Sequence, residues 1–201
     1  MQRNALLTQD ELDFIQAMQH SPQFNVAEAA SSLVVDGGSQ IKALLARLIA
    51  HEQVTIQAQF ENQQMNFPLH LVEDEFHAMH LQLGAPSIYE DGPVVRPWRL
   101  LLDQPLALED DKARPTALFI REISCKDVLI ENRASTKPPK RLRLWFKPKG
   151  HAPIALRASL SRETDDGLAA YNLNQDNVQE AEQLRQYILA QHRRAHPQLH
   201  R

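Results

Sequence analysis

A chain of 201 residues, 43% of them hydrophobic and 23% charged, can bury a real core and has room for one large domain or two small ones. The single cysteine, Cys125, excludes an internal disulfide framework and suits a reducing compartment. No apolar run reaches the roughly 20 residues of a membrane helix, and the opening MQRNALLTQDE carries acids where a signal peptide stays apolar. A cytoplasmic protein without membrane insertion is expected.

The net charge of -3 hides a polarity along the chain. Residues 1–95 carry three basic and twelve acidic side chains, whereas the remainder carries nineteen basic and thirteen acidic ones. Such a division points to two modules, with an anionic partner for the basic one.

The first fifty residues read as helices. Thr8 and Glu11 form a capping box ahead of Leu12, Ile15 and Met18 on one face. Asn25 and Glu28 repeat the signal for a short helix, NVAEAASSL, which Gly37 and Gly38 break. Ser39 caps a third, in which Ile41, Leu44, Leu45, Leu48 and Ile49 keep helical spacing. From residue 53 the period changes to two: VTIQAQF, NFPLHLV and HAMHLQL read as strands, the last two separated by the acidic turn of Glu73, Asp74 and Glu75. GAPSIYEDGP reads as a turn-rich linker ending near Pro93.

Six further strands follow: RPWRLLL, ALFIREI, VLIEN, RLRLWF, IALRASL and LAAYNL. Short strands at regular spacing with polar turns suggest a closed barrel, which removes exposed edges. A final helix is expected over 174–194, with Val178, Ala181, Leu184 and Ile188 on one face and Pro197 as its stop. Acids lead it and His192, Arg193 and Arg194 end it, as the helix dipole favours. The expected fold class is α+β, mainly β. It has a helical and β module over 1–93, then a six-stranded barrel with a terminal helix over 94–195.

Two short motifs carry chemistry. Arg96-Pro97-Trp98-Arg99 places two arginines on the segment entering the barrel, and Glu122-Ile123-Ser124-Cys125-Lys126-Asp127 forms the corner after the next strand. In order and architecture this half of the chain, from residue 96 to 194, resembles the PilZ domain, whose motifs are R-x-x-x-R and D/N-x-S-x-x-G. The arginine spacing here is one residue short, Val95 stands four before Arg99, glutamate replaces aspartate, and Asp127 stands at the glycine position. Residues 40–95 resemble the N-terminal domain of flagellar-brake PilZ proteins. The resemblance implies a six-stranded PilZ-like barrel and a bacterial receptor or adaptor for cyclic di-GMP acting on a protein partner. Arg96, Arg99, Glu122 and Ser124 would then be the ligand-binding residues, with no other cofactor.

The chemistry suits such a ligand. A guanidinium can grip phosphate oxygens bidentately or meet a guanine edge, a carboxylate can accept guanine N–H groups, and a serine hydroxyl can bond phosphate or backbone. An odd separation on an extended strand, however, sends two side chains to opposite faces, so Arg96 and Arg99 diverge unless Pro97 bends the chain. The same residues also read as solvated strand-edge charges and an ordinary turn with a local side-chain bond. A rival function is therefore a ligand-independent interaction adaptor that kept the barrel and lost the site.

Other constellations carry less. The basic stretch of Lys137, Lys140, Arg141, Arg143, Lys147 and Lys149 around Trp145 and Phe146 reads as a solvated face, because the sequence pI of 6.3 is far from that of a nucleic-acid binder. A winged-helix reading of the N-terminus offers a recognition helix with only Lys42 and Arg47, so no DNA binding is expected. His77 and His80 would point to opposite faces of a strand, and His192, His196 and His200 read as a tail, so no metal site is expected. Trp98 and Trp145 read as core or half-buried barrel residues. Cys125 has Lys126 beside it to lower its pKa but no histidine signature, and no catalytic motif is present, so no enzyme is expected. Apolar faces on the terminal helix would serve a homodimer as readily as the barrel.

Overall fold

The computed structural model describes residues 32–34, 43, 55–60, 62–75, 79–134, 136–164 and 167–200. The helices expected before residue 55 lie outside these, apart from Ala43, which is helical, and Ser32 and Leu33.

The first sheet is antiparallel. Strand β1 (Ser32–Val34) pairs with β4 (Met79–Leu83), which pairs with the outer end of β3 (Gln63–Glu73). The inner end of β3 takes β2 (Thr55–Phe60) and β5 (Ser87–Glu90). A two-residue β6 (Arg96–Pro97) extends the sheet from β5. β3 forms because its apolar side chains alternate, so Met65, Phe67 and Leu69 fall on one buried face.

Two expectations fail here. Ser32 and Leu33, read as the end of a helix, are strand, because β4 offers its edge to them and a tertiary partner overrides local capping. The supposed linker GAPSIYEDGP contains β5, whose Ile88 is 1% exposed and belongs to the core. Its flanking glycine and prolines hid a four-residue strand that lives on its pairing with β3.

Six strands close into a barrel in the order β10-β11-β12-β9-β8-β7. They are β7 (Leu100–Glu109), β8 (Pro115–Ile123), β9 (Asp127–Asn132), β10 (Arg141–Phe146), β11 (Ile154–Glu163) and β12 (Leu168–Leu173). All six segments anticipated from the sequence contribute, but the first is displaced. RPWRLLL does not form one strand: Arg96 and Pro97 belong to the first sheet, and the barrel strand starts at Leu100 and runs to Glu109. Pro105 survives inside it because the pairing with β8 shifts register between Leu101 and Leu106, a bulge where the missing N–H is not needed. The seam between β10 and β7 is one bridge, Trp145 opposite Glu109, reinforced by Lys147 Nζ at 2.7 Å from Glu109.

Helix α1 (Val178–Ala195) follows and ends before Pro197, as expected, and a 3-10 turn (Pro197–His200) begins at that proline. Asn177 caps α1 by accepting from the Gln179 and Glu180 amides. Ala181, Leu184 and Ile188 are buried, joined by Tyr187, Leu189 and His192. Val178, expected on that face, is 51% exposed at the helix's first residue. His192, read as part of a tail, is fully buried.

One cluster of buried residues runs through both sheets. It joins Met65, Phe67, Ala85 and Ile88 to Trp98, to the barrel interior around Leu108, Ile120, Phe146 and Tyr171, and to Leu184 and Ile188 of α1. Trp145 is half-buried. Among the described residues, no helix is long and apolar enough to cross a membrane.

Candidate ligand site at the barrel entrance

The segment from Arg96 to Arg99 is held at its middle. The Trp98 amide donates to the Ile88 carbonyl at 2.9 Å, and its indole is buried against His192 of α1, ring centroids 4.8 Å apart and nearly perpendicular. The two arginines flank this anchor. Arg96 lies opposite Glu90 in the β5–β6 pairing, its side chain is exposed, and it makes no ion pair among the described residues. Arg99 lies past the tryptophan, just before the barrel strand. Its guanidinium reaches Asp127 Oδ2 at 2.9 Å and lies 3.6 Å from Glu122 Oε2.

Glu122 lies near the end of β8 and Ser124 in the turn that leads to β9, so of the four residues anticipated, Arg99, Glu122 and Ser124 share one corner. Arg96 belongs to the adjoining sheet. The corner itself is built by Ser124, which is fully buried. Its hydroxyl accepts from the amides of Lys126 (3.1 Å) and Asp127 (2.9 Å). Its own proton faces Asp127, with Oδ1 at 3.0 Å and the backbone carbonyl at 3.2 Å. This is the local side-chain turn that Ser-x-x-Asp allows.

By its place in the motif, Asp127 stands only where the PilZ pattern has a glycine. In the structure Asp127 opens β9 in ordinary strand geometry, and among the described non-glycine residues only Ala113 has positive φ. Its carboxylate joins Ser124 to Arg99, a role the spacing from Ser124 could have suggested. Two more residues were missed. Lys126 is exposed, and its ammonium lies 5.3 Å from the centroid of the Tyr89 ring. Tyr89 in turn lies opposite Pro97 in the β5–β6 pairing. Tyr89 was hidden in the supposed linker, so nothing in the sequence aligned it with the motif.

At this corner Arg99 is matched by Glu122 and Asp127, while Arg96 lies opposite Glu90 on the adjoining sheet. Cys125, inside the same turn, is buried; burial pushes its thiol up, outweighing Lys126 and a hydrogen bond with Ser87, which pull it down. Lys126 thus acts in the direction its place in the sequence suggests, but burial decides the outcome. Its carbonyl accepts from the Gln175 side-chain amide.

A separate groove of about 660 Å³ lies between the first sheet, the β10–β11 loop and α1. His70, Gln82, His151, Glu182, Gln183 and Arg193 line it with Tyr187 and Leu189, and none of the four anticipated residues does.

A closed six-stranded barrel followed by one helix is the architecture that the PilZ resemblance implies. No family model and no curated protein sequence matches the chain. Among solved structures it is similar to YcgR from Escherichia coli in complex with c-di-GMP, with 15% identity over 85% of this chain and 78% of that one and a TM-score of 0.41. It is also similar to the K. pneumonia MrkH–c-di-GMP complex, with 9% identity, 84% and 100% coverage and a TM-score of 0.40. A third is the Bacillus subtilis inhibitor of motility, MotI/DgrA, with 13% identity, 69% and 72% coverage and a TM-score of 0.37.

Proposed function

We propose that this protein is a PilZ-like receptor-adaptor for cyclic di-GMP that passes ligand binding to a protein partner. The observation that carries the reading is the meeting of Arg99 with Glu122 at the Ser124 turn, with exposed Arg96 on the adjoining strand. Arg96 and Arg99 take the phosphates, and Glu122 accepts from a guanine edge. Ser124 keeps the turn in shape, since its hydroxyl is already engaged. Ligand closure would pull on both sides of Trp98, whose contact with His192 leads into α1 and from there to the first sheet. A change at the entrance thus has a packed route to the terminal helix and the first sheet.

A second reading, a ligand-independent interaction adaptor, is favoured by one observation: Arg99 is already matched by Glu122 and Asp127. Isothermal calorimetry separates the two. A receptor binds cyclic di-GMP at about micromolar Kd or tighter, and Arg96→Ala and Arg99→Ala each weaken it by more than about 1.4 kcal/mol, the tenfold mark. No binding heat at high ligand concentration leaves the adaptor.

A further inference from the structure

Resting on the receptor reading, we propose that Asp127 is an internal competitor for the ligand and sets the affinity of the site. Its carboxylate uses both oxygens on the site's own residues. Oδ1 lies 3.0 Å from the Ser124 hydroxyl and Oδ2 lies 2.9 Å from Arg99 Nη2. Glu122 stands on the same guanidinium at 3.6 Å. The group that would grip a phosphate is thus held by a built-in anion of like charge to the ligand.

The physical consequence follows from competition. A phosphate oxygen can take the Nη2 position only in the fraction of molecules where Asp127 has released it, so the apparent dissociation constant is the intrinsic one divided by that fraction. The contact is charge-assisted yet partly exposed, with Arg99 45% and Asp127 24% accessible, so opening is an ordinary thermal event rather than a lost state. Even when released, the carboxylate stays within the short turn next to the bound phosphate and repels it, most strongly at low salt. Arg96 carries no such partner among the described residues, so the two arginines enter the reaction unequally. Arg96 makes first contact, and Arg99 is recruited afterwards at the cost of its pair with Asp127.

The test is a calorimetric titration of the full chain with cyclic di-GMP, comparing wild type, Asp127→Asn, Asp127→Ala, Arg99→Ala and the double variant Arg99→Ala/Asp127→Asn. Asp127→Asn keeps an acceptor for Ser124 and so preserves the turn; circular dichroism and a melting curve confirm that it folds, whatever becomes of Asp127→Ala. Asp127→Asn should tighten binding at least about threefold, more at low salt. That gain should vanish when Arg99 is already alanine. Wild-type binding that is unchanged in Asp127→Asn, or an equal gain in the Arg99→Ala background, would overturn the competitor and leave the receptor standing. No binding by any variant would remove both.

Discussion

His192 on α1 and Gln63 at the start of β3, 129 residues apart in the chain, meet at 2.7 Å between Nε2 and Oε1 with both side chains out of water. The ring nitrogen donates to the amide oxygen, and the imidazole also packs on Trp98 and His196, with centroids 4.8 and 4.6 Å away. This pair ties the terminal helix to the first sheet. The anchor of the arginine segment rests on the same ring.

His192→Ala leaves a cavity and strands the Gln63 oxygen, so it should cost about 3 kcal/mol of folding stability. His192→Phe restores the volume but not the donor and should still cost about 1–2 kcal/mol. Urea unfolding midpoints check both, and equal stability of the phenylalanine variant and wild type would mean that packing alone holds the helix there.

Gly84 marks a second contact between α1 and the first sheet. The Ala85 amide donates to Glu182 Oε1 at 2.7 Å, and a Cβ on Gly84 would lie 2.5 Å from His70 Nε2 and 2.9 Å from Pro68 Cγ. Gly84→Ala should therefore destabilise by about 1–3 kcal/mol through overpacking. Gly92→Ala, whose nearest neighbour would be the Val94 carbonyl at 3.7 Å, should stay within about 0.5 kcal/mol of wild type.

The β7–β8 turn predicts an acid-side effect. Asp110 accepts from the amides of Lys112 and Arg114 and from the Arg114 guanidinium, which holds its carboxyl down from 3.8 to about 2. A depressed carboxyl contributes stability above its unfolded value, and that contribution fades as pH falls through the folded one. Asp110→Asn should accordingly flatten the stability curve between about pH 4 and pH 2, by a small amount because the pair faces water. In the same turn Ala113 has φ 58, a conformation costly for any side chain, so Ala113→Gly should raise stability by about 0.5 kcal/mol.

Tyr171 governs the alkaline side. Its hydroxyl donates to the Pro139 carbonyl at 3.0 Å from a fully buried position, and burial pushes its pKa from 10.0 to about 12. The folded state favours the neutral phenol. That stabilisation is complete below pH 10 and is lost as pH rises through about 12. Tyrosinate absorbance should show one phenol titrating together with alkaline unfolding, and Tyr171→Phe should shift that transition to higher pH.

The barrel was legible in the sequence because each of its strands carries its own alternation and is bounded by its own turn residues. The terminal helix was legible because its cap, dipole charges and stop signal are local. Ile188 and Leu184 could be placed in the core from spacing alone. The order of the motif residues was legible too, although the arginine spacing is one residue short and nothing local says that Arg96 joins a different sheet from Arg99.

What a partner far along the chain decides was not legible. β5 is a strand because β3 binds it, β1 because β4 does, and Arg96 belongs to the first sheet because Glu90 lies opposite. His192 looks like tail until Gln63 meets it, and Asp127 looks like a misplaced glycine until Arg99 reaches across. The sequence by itself determined which segments could pair and which residues could carry charge to an anion, because periodicity and side-chain chemistry are local properties. Only the tertiary structure decided which of those groups neutralise one another, because that depends on distances between residues that no stretch of chain encodes alone.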